Sequence, residues 1–180
     1  MNNSDTFQAI GRAFRNDRVT ELSVTLAELV KAGRFDAPEY FAPPSARHYG
    51  RRLIWRDQEL GFVIVGMTWS PGQRAPLHDH DGLWGAEAVI EGVMRETPYT
   101  CVDVDAEGRC RFIKEADVLR CRGEVGTVIA PREYHAFENA GVKCAQTVHV
   151  YNAEIARCRS YEAEEGGWWR ARATNLQYDV

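Results

Sequence analysis

The stretch PLHDHDGLWGAEAVIEG, residues 76–92, carries two of the five histidines in a chain of 180 residues. Successive side chains of a β-strand point to opposite faces, so His78 and His80 should project from one side and Asp79 from the other. This spacing suits two ligands of one metal ion, although paired histidines also occur as ordinary surface residues. The stretch therefore predicts β-structure around a candidate metal site.

Short β-rich runs separated by glycine or proline recur on both sides of this stretch. They read RRLIW, FVIVGMTW, AEAVIEG, GTVIA and CAQTVHVY, and they begin at residues 51, 62, 86, 126 and 144. Repeated short strands at such spacing are typical of a closed barrel or a sandwich. We therefore expect a mainly β fold.

The first part of the chain has a different pattern and predicts a helical layer. In DRVTELSVTLAELVKAG, residues 17–33, Asp17 can cap the start of a helix and Gly33 can end it. Its apolar residues recur at helical spacing and are Leu22, Leu26, Leu29 and Val30. A preceding helix has apolar residues on one side, namely Phe7, Ile10 and Phe14.

Length and charge narrow the class of protein. We expect one domain, residues 1–180, with helices in 1–45 and a β-barrel and tail in 46–180. The 22 basic and 26 acidic residues are spread evenly and give a formal net charge of −4. This balance offers no basic face for nucleic acid and no polybasic membrane anchor. The longest apolar run is too short to cross a bilayer, and no leader segment is apparent, so we expect a cytoplasmic monomer or small homo-oligomer.

The five cysteines form neither C-x-x-C pairs nor zinc-ribbon spacing. An odd number without such spacing argues against a disulfide framework. We expect reduced, structural thiols.

A second polar row lies in QTVHVY. Thr147, His149 and Tyr151 share one face of the predicted strand, while the two valines between them share the other. The row faces either water or a cavity, where hydroxyl, imidazole and phenol groups can pass or donate protons.

These motifs resemble those of the cupins. The first cupin motif has a glycine, an H-x-H pair and a second glycine, matched here by Gly72, His78, His80 and Gly92. The second motif places a histidine four residues before an asparagine, matched by His135 and Asn139. Gly85 stands where most cupins carry a glutamate ligand. The resemblance implies a jelly-roll-like cupin barrel and a three-histidine site with no protein carboxylate.

The chain is also similar over nearly its whole length to the thiol dioxygenases, the family of cysteine dioxygenase and its bacterial relatives. The matching segments are PGQRAPLHDH with the following LWG, EYHAFEN and TVHVYNAEI. This resemblance implies that three histidines bind a mononuclear non-haem Fe(II), and that dioxygen adds both of its atoms to a thiol to give a sulfinate. The implied metal ligands are His78, His80 and His135. The implied catalytic residues beside the iron are Thr147, His149 and Tyr151, with Thr147 at a position that is usually serine.

The same resemblance implies a small mercapto-carboxylic acid as substrate. The family's carboxylate-binding arginine follows a Tyr-x pair, which is Arg51 in HYGRRLIW. A slip of one residue would exchange Arg51 with Arg52, and Arg52 or Arg74 could bind a second carboxylate. Because Arg51 replaces the glutamine of the branch that prefers 3-mercaptopropionate, L-cysteine leads, with 3-mercaptopropionate and mercaptosuccinate as rivals.

Three alternatives stay open at this point. Asp81 or Glu87 could add a carboxylate ligand, which would favour a different oxygenase or a non-redox cupin. The barrel could be a sensor that binds a metal or a small acid without turnover. A metal-dependent isomerase is the third possibility.

Overall fold

The computed structural model describes residues 3–15, 19–130 and 133–179. Two helices, α1 (Asn3–Arg15) and α2 (Val19–Lys31), precede the β-strands. The strands are β1 (Gly50–Arg56), β2 (Val63–Trp69), β3 (Arg74–His78), β4 (Gly85–Glu91), β5 (Met94–Val104), β6 (Cys110–Lys114), β7 (Val118–Arg120), β8 (Val125–Val128), β9 (Tyr134–Asn139), β10 (Ala145–Tyr151), β11 (Arg157–Ala163) and β12 (Trp169–Asn175). The prediction of a mainly β fold is confirmed.

The strands form two sheets that enclose an apolar interior. One sheet has the order β1-β2-β10-β4-β8, and the other has the order β6-β12-β11-β3-β9-β5-β7. Strand β6 also pairs with β5, so the second sheet curls back on itself. Each of the five runs predicted from the sequence overlaps a strand of the first sheet. The tail contributes β11 and β12, which pair with each other and complete the second sheet.

The helical layer covers the outer face of the first sheet. The side chains of Leu22, Leu26 and Val30 are fully buried and pack in one cluster with residues of β2, β4 and β10. Helix α2 ends as predicted, because Gly33 has a positive φ of 71° and the amide of Arg34 donates to the carbonyl of Leu29 at 3.0 Å. The predicted cap, Asp17, lies outside the described residues. In the part of the chain that the structure describes, no helix is both long and apolar enough to cross a bilayer.

The opposite face of the first sheet lines the interior between the sheets. Along β10, Val148 and Val150 pack toward the helices. The three side chains that alternate with these valines therefore point inward, and two of them, His149 and Tyr151, border an internal cavity. The polar row found in the sequence faces this cavity and not bulk water.

Candidate metal centre

Three histidines converge inside the barrel from the end of β3, the segment just beyond it and the neighbouring strand β9. His78 ends β3 and pairs directly with His135 of β9. His80 lies two residues beyond the end of β3, so the prediction that both members of the H-x-H pair lie within one strand is wrong. The chain beyond His78 nevertheless stays paired, since the amide of Asp79 donates to the carbonyl of Arg159 at 3.0 Å. One potential ligand atom from each histidine lies within 4.8 Å of the other two.

Each of these imidazoles is oriented by an oxygen atom near its Nδ1. An Nδ1–H group that donates to oxygen leaves the Nε2 lone pair free for a metal. The Nε2 atom of His80 is buried and has no hydrogen-bond partner, as expected for an atom that faces an ion. The oxygen atoms are the Pro76 carbonyl at 2.8 Å from His78, the Glu133 carbonyl at 3.1 Å from His80 and the Glu96 carboxylate at 3.3 Å from His135.

Burial favours the neutral form of two of the three histidines. It lowers the pKa of His78 well below the usual value, and the neighbouring imidazoles lower it further. Burial likewise lowers the pKa of His80. Burial would also lower the pKa of His135, but the charges of Glu87 and Glu96 outweigh burial and raise it. Neutral imidazole is the form that coordinates metals, so the donor set fits a divalent transition-metal ion.

The Thr147, His149 and Tyr151 side chains form a continuous hydrogen-bonded row. The indole Nε1 of Trp69 donates to the Thr147 hydroxyl at 3.0 Å, and this hydroxyl lies 2.8 Å from Nε2 of His149. The Thr147 hydroxyl can donate its own proton to Nε2, and the Glu87 carboxylate oxygen 3.0 Å from Nδ1 favours the tautomer of His149 with its proton on Nδ1. That Nδ1 atom lies 3.1 Å from the Tyr151 hydroxyl.

A carboxylate lies at the inner end of this row. Glu87 is 4% exposed, and its Oε1 accepts from the Tyr151 hydroxyl at 3.2 Å. The same oxygen lies 3.0 Å from Nδ1 of His149, 3.7 Å from Nε2 of His80 and 3.9 Å from Nε2 of His135. The carboxylate of Glu87 therefore lies beside the three histidines, but the cluster of potential metal ligands among the described residues consists of the histidines alone, so the expected three-histidine set with no carboxylate ligand stays a prediction.

The charges around Glu87 keep it ionised. Burial opposes ionisation, but His149 and His135 lower the pKa of Glu87 well below its usual value. Burial and the charge of Glu87 raise the pKa of Tyr151 well above its usual value, so the phenol keeps its proton and can donate it in a hydrogen bond. The other carboxylate weighed from the sequence, Asp81, is exposed and accepts from Arg157 Nε at 2.7 Å.

A cavity of about 130 Å³ adjoins the histidines. Arg51 borders this cavity, is 4% exposed, and donates from Nη2 to the Ile155 carbonyl at 2.9 Å. Its Nε atom is buried and has no hydrogen-bond partner. Arg52 points elsewhere and donates to the Glu39 carbonyl at 3.2 Å, while Arg74 is exposed and borders a separate surface groove. Of the three arginines considered from the sequence, only Arg51 reaches the cavity.

Sequence reasoning missed several residues that hold the site together. Trp69 anchors Thr147, and Glu96 contacts His135 while binding Arg120 through Oε2 at 2.6 and 2.8 Å. Neither residue carries a local signal, because each acts through a partner that is distant in sequence. The sequence did indicate a place for Glu87 near the site. It lies two residues after Gly85 and therefore on the same face of the strand.

The mainly β barrel, with three inward-facing histidines beside a small cavity, defines a cupin-type protein with a candidate metal centre. The family model described as cysteine dioxygenase type I matches residues 5–164. The chain therefore belongs to the cysteine dioxygenase type I family.

Solved structures share part of this fold at low identity. The protein TT1209 from Thermus thermophilus is 15% identical with a TM-score of 0.46, over 61% of this chain and 88% of that one. A conserved protein with a double-stranded β-helix domain from Klebsiella pneumoniae is 21% identical with a TM-score of 0.45, over 63% and 83% of the two chains. An oxalate oxidase in complex with the substrate analogue glycolate is 17% identical with a TM-score of 0.46, over 62% and 54%. These values carry no information on substrate.

Proposed function

We propose that this protein is a non-haem Fe(II) thiol dioxygenase that converts a small mercapto-carboxylic acid, with L-cysteine as the leading substrate, to its sulfinate. The overall reaction adds both atoms of O2 to one sulfur, so that R–SH and O2 give R–SO2H. Family membership supports a dioxygenase that acts on thiols. A cytoplasmic location belongs to the same proposal, because the five free cysteines suit a reducing compartment.

One observation supports a substrate that carries a carboxylate. The three histidines and the buried Arg51 border the same cavity, and Nε of Arg51 is buried without a hydrogen-bond partner. A buried donor without a partner costs about 1–3 kcal/mol, which a bound carboxylate would offset. An apolar cavity of about 150 Å³ holds a molecule the size of benzene, so the 130 Å³ space suits a substrate of six or seven heavy atoms.

Some of the assigned residues would bind the metal or the substrate, and others orient the Tyr151 phenol. His78, His80 and His135 would hold the iron, which supplies a Lewis acid that favours thiolate over thiol and a redox centre for dioxygen. Arg51 binds the substrate carboxylate by charge-assisted hydrogen bonds. Tyr151 offers a protonated phenol at the cavity wall, and Thr147 and His149 fix its orientation.

The charges in the cavity favour a substrate with one carboxylate. Among the described residues that border it, Arg51 is the only arginine or lysine. Mercaptosuccinate carries a second carboxylate, for which Arg52 and Arg74 are out of reach, and Glu87 would repel it. We therefore place L-cysteine and 3-mercaptopropionate ahead of mercaptosuccinate.

Dioxygen uptake tests the proposal directly. The protein is loaded anaerobically with Fe(II) and given cysteine, 3-mercaptopropionate, mercaptosuccinate or cysteamine in parallel, and the products are identified by mass. We expect uptake matched one-to-one by a sulfinate for the first two thiols, and little for cysteamine, which has no carboxylate. Bound iron without uptake for any of the four would overturn the proposal in favour of a binding or non-redox cupin.

A further inference from the structure

A segment without regular secondary structure, residues 176–179, follows β12 and contacts Arg51. The family match covers residues 5–164, so this segment lies outside the part of the chain that the family model describes. Two residues beyond the match, Thr174 and Leu176, nevertheless border the cavity beside the three histidines. The chain therefore adds its own segment to a site whose histidines and arginine lie within the family match.

Hydrogen bonds fix both ends of the 176–179 segment. The amide of Leu176 donates to the carbonyl of Ala156 at 2.8 Å. At the other end, the amide of Asp179 donates to the carbonyl of Arg51 at 2.7 Å, and the amide of Arg51 donates to Oδ2 of Asp179 at 2.7 Å. Ordering such a segment costs conformational entropy, which these contacts must outweigh. One of the two attachment points is therefore Arg51 itself.

The ring of Tyr178 covers the Arg51 guanidinium. Its centroid lies 4.4 Å from Cζ of Arg51, well within the distance of about 6 Å at which a cation–π contact is attractive. The Tyr178 hydroxyl donates to Oε1 of Glu154 at 2.6 Å, and Glu154 also pairs with Arg56. Because the hydroxyl end of the ring is anchored in this way, the ring is held against the guanidinium.

Backbone carbonyls engage the two terminal nitrogens of the same guanidinium. Nη1 donates to the Gln177 carbonyl at 3.4 Å, and Nη2 donates to the Ile155 carbonyl at 2.9 Å. The Nε atom is buried and has no hydrogen-bond partner. The carbonyls therefore fix the plane of the guanidinium and leave Nε–H for a ligand, and a carboxylate is the acceptor that suits this planar group best.

We propose that the 176–179 segment is a specificity element that positions Arg51 for the substrate carboxylate, with Tyr178 as its main positioning residue. The ring restricts one face of the guanidinium and the Gln177 carbonyl holds Nη1, so Arg51 loses little further freedom when a carboxylate binds. The segment should therefore strengthen binding of thiols that carry a carboxylate, and not of thiols that lack one. The identity of the ligand rests on the proposed thiol dioxygenase function.

Thiol binding in the absence of dioxygen tests this role. Full-length wild-type protein and the Tyr178→Leu variant are loaded with Co(II) and titrated with 3-mercaptopropionate or with 1-propanethiol, in which a methyl group replaces the carboxylate. Visible absorption gives the Kd of each thiol. We expect Tyr178→Leu to raise the Kd of 3-mercaptopropionate by about 5–30-fold, the equivalent of a cation–π contact of about 1–2 kcal/mol, and to leave the Kd of 1-propanethiol unchanged.

A matched control removes the same kind of contact elsewhere. The ring of Trp168 lies 4.3 Å from Cζ of Arg111 and 5.3 Å from Cζ of Arg109, and Trp168 is not among the residues that border the cavity. Trp168→Leu should therefore bind both thiols as the wild type does. Tyr178→Phe keeps the ring over Arg51 and should weaken binding of 3-mercaptopropionate less than Tyr178→Leu does.

A second variant tests the segment at its other attachment. Asp179→Ala removes the acceptor of the Arg51 amide and should also raise the Kd of 3-mercaptopropionate alone, so the test stands even if Tyr178→Leu fails to fold. Folded variants with the wild-type Kd for 3-mercaptopropionate would overturn the inference. Equal weakening of both thiols would also overturn it, because it would indicate general loosening of the barrel. Since no dioxygen is used, a protein that binds thiols without oxidising them would still decide the matter, and failure of the proposed function would be recognised separately.

Discussion

Gly85 lies directly opposite Tyr151 across the β4–β10 ladder, and no space exists there for a side chain. A Cβ atom added to Gly85 would lie 2.2 Å from the Val150 carbonyl oxygen and 3.0 Å from Cδ1 of Tyr151. The backbone therefore approaches too closely for the glutamate that most cupins carry at this position. A buried carboxylate, that of Glu87, lies two residues further along on the same face of β4.

The first prediction concerns this close approach. Gly85→Ala should destabilise the protein by about 1–3 kcal/mol, because β10 must shift to relieve the contact. Gly11→Ala is the matched control, since the new Cβ would meet Leu60 and Phe62 at an ordinary 3.6 Å within α1. The control should be about 0.5–1 kcal/mol more stable than wild type. Urea denaturation measures both, and equal stability of the two variants would contradict the packing argument.

The second prediction concerns the hydrogen-bonded row. Thr147→Val should lower kcat, because it removes the hydroxyl that orients His149 and leaves the buried indole N–H of Trp69 without its acceptor. The lost acceptor should cost about 1–3 kcal/mol of stability. Thr147→Ser keeps the hydroxyl and should retain most of the turnover. His149→Ala should lower turnover by about 10–100-fold. Steady-state kinetics, with the metal content measured in parallel, checks these variants. Wild-type turnover in both Thr147→Val and His149→Ala would show that the row has no catalytic role.

The third prediction concerns substrate recognition. Arg51→Gln should lower kcat/KM for cysteine by about 10–150-fold, the equivalent of the 1.5–3 kcal/mol of a charge-assisted hydrogen bond. The loss should appear mainly in KM, with metal content unchanged. Arg52→Gln is the control, because Arg52 points away from the cavity and contacts the Glu39 carbonyl. Equal losses in the two variants would remove Arg51 from the substrate site.

The strands that were predicted are those with a simple apolar pattern. FVIVGMTW is buried at every position of β2, because one face meets the helices and the other meets the barrel interior. The missed strands β6 and β7 are short and largely exposed, so they lack such a pattern. The tail strands were missed because pairing with distant strands decides their structure, and one sequence does not display such pairing.

The site could be predicted only where its residues share a local pattern. The alternation along β10 placed His149 and Tyr151 on one face, and the structure shows that this face borders the cavity. Glu87 follows the same parity rule, but its proximity to His80 depends on how β3 approaches β4 in space. Arg51 and Arg52 could not be separated by sequence, because a shift of one residue in a strand reverses both side chains.

The last prediction concerns the cysteines. Burial raises the pKa of Cys110 and of Cys158 to about 11, with further contributions from Cys101 and Asp79, respectively. At neutral pH the thiolate fraction of such a group is on the order of 10⁻⁴. We therefore expect iodoacetamide to label the exposed Cys121 and Cys144 readily and the two buried thiols slowly.

Peptide mass spectrometry of the labelled native protein checks this order, and unfolded protein, in which all five cysteines should react, is the control. Rapid native labelling of Cys158 at neutral pH would contradict the prediction.

The same pKa shifts affect stability. The folded state holds the thiol protons of Cys110 and Cys158 more tightly than the unfolded state does, so their contribution to stability is complete below about pH 9 and is lost as the pH rises toward 11.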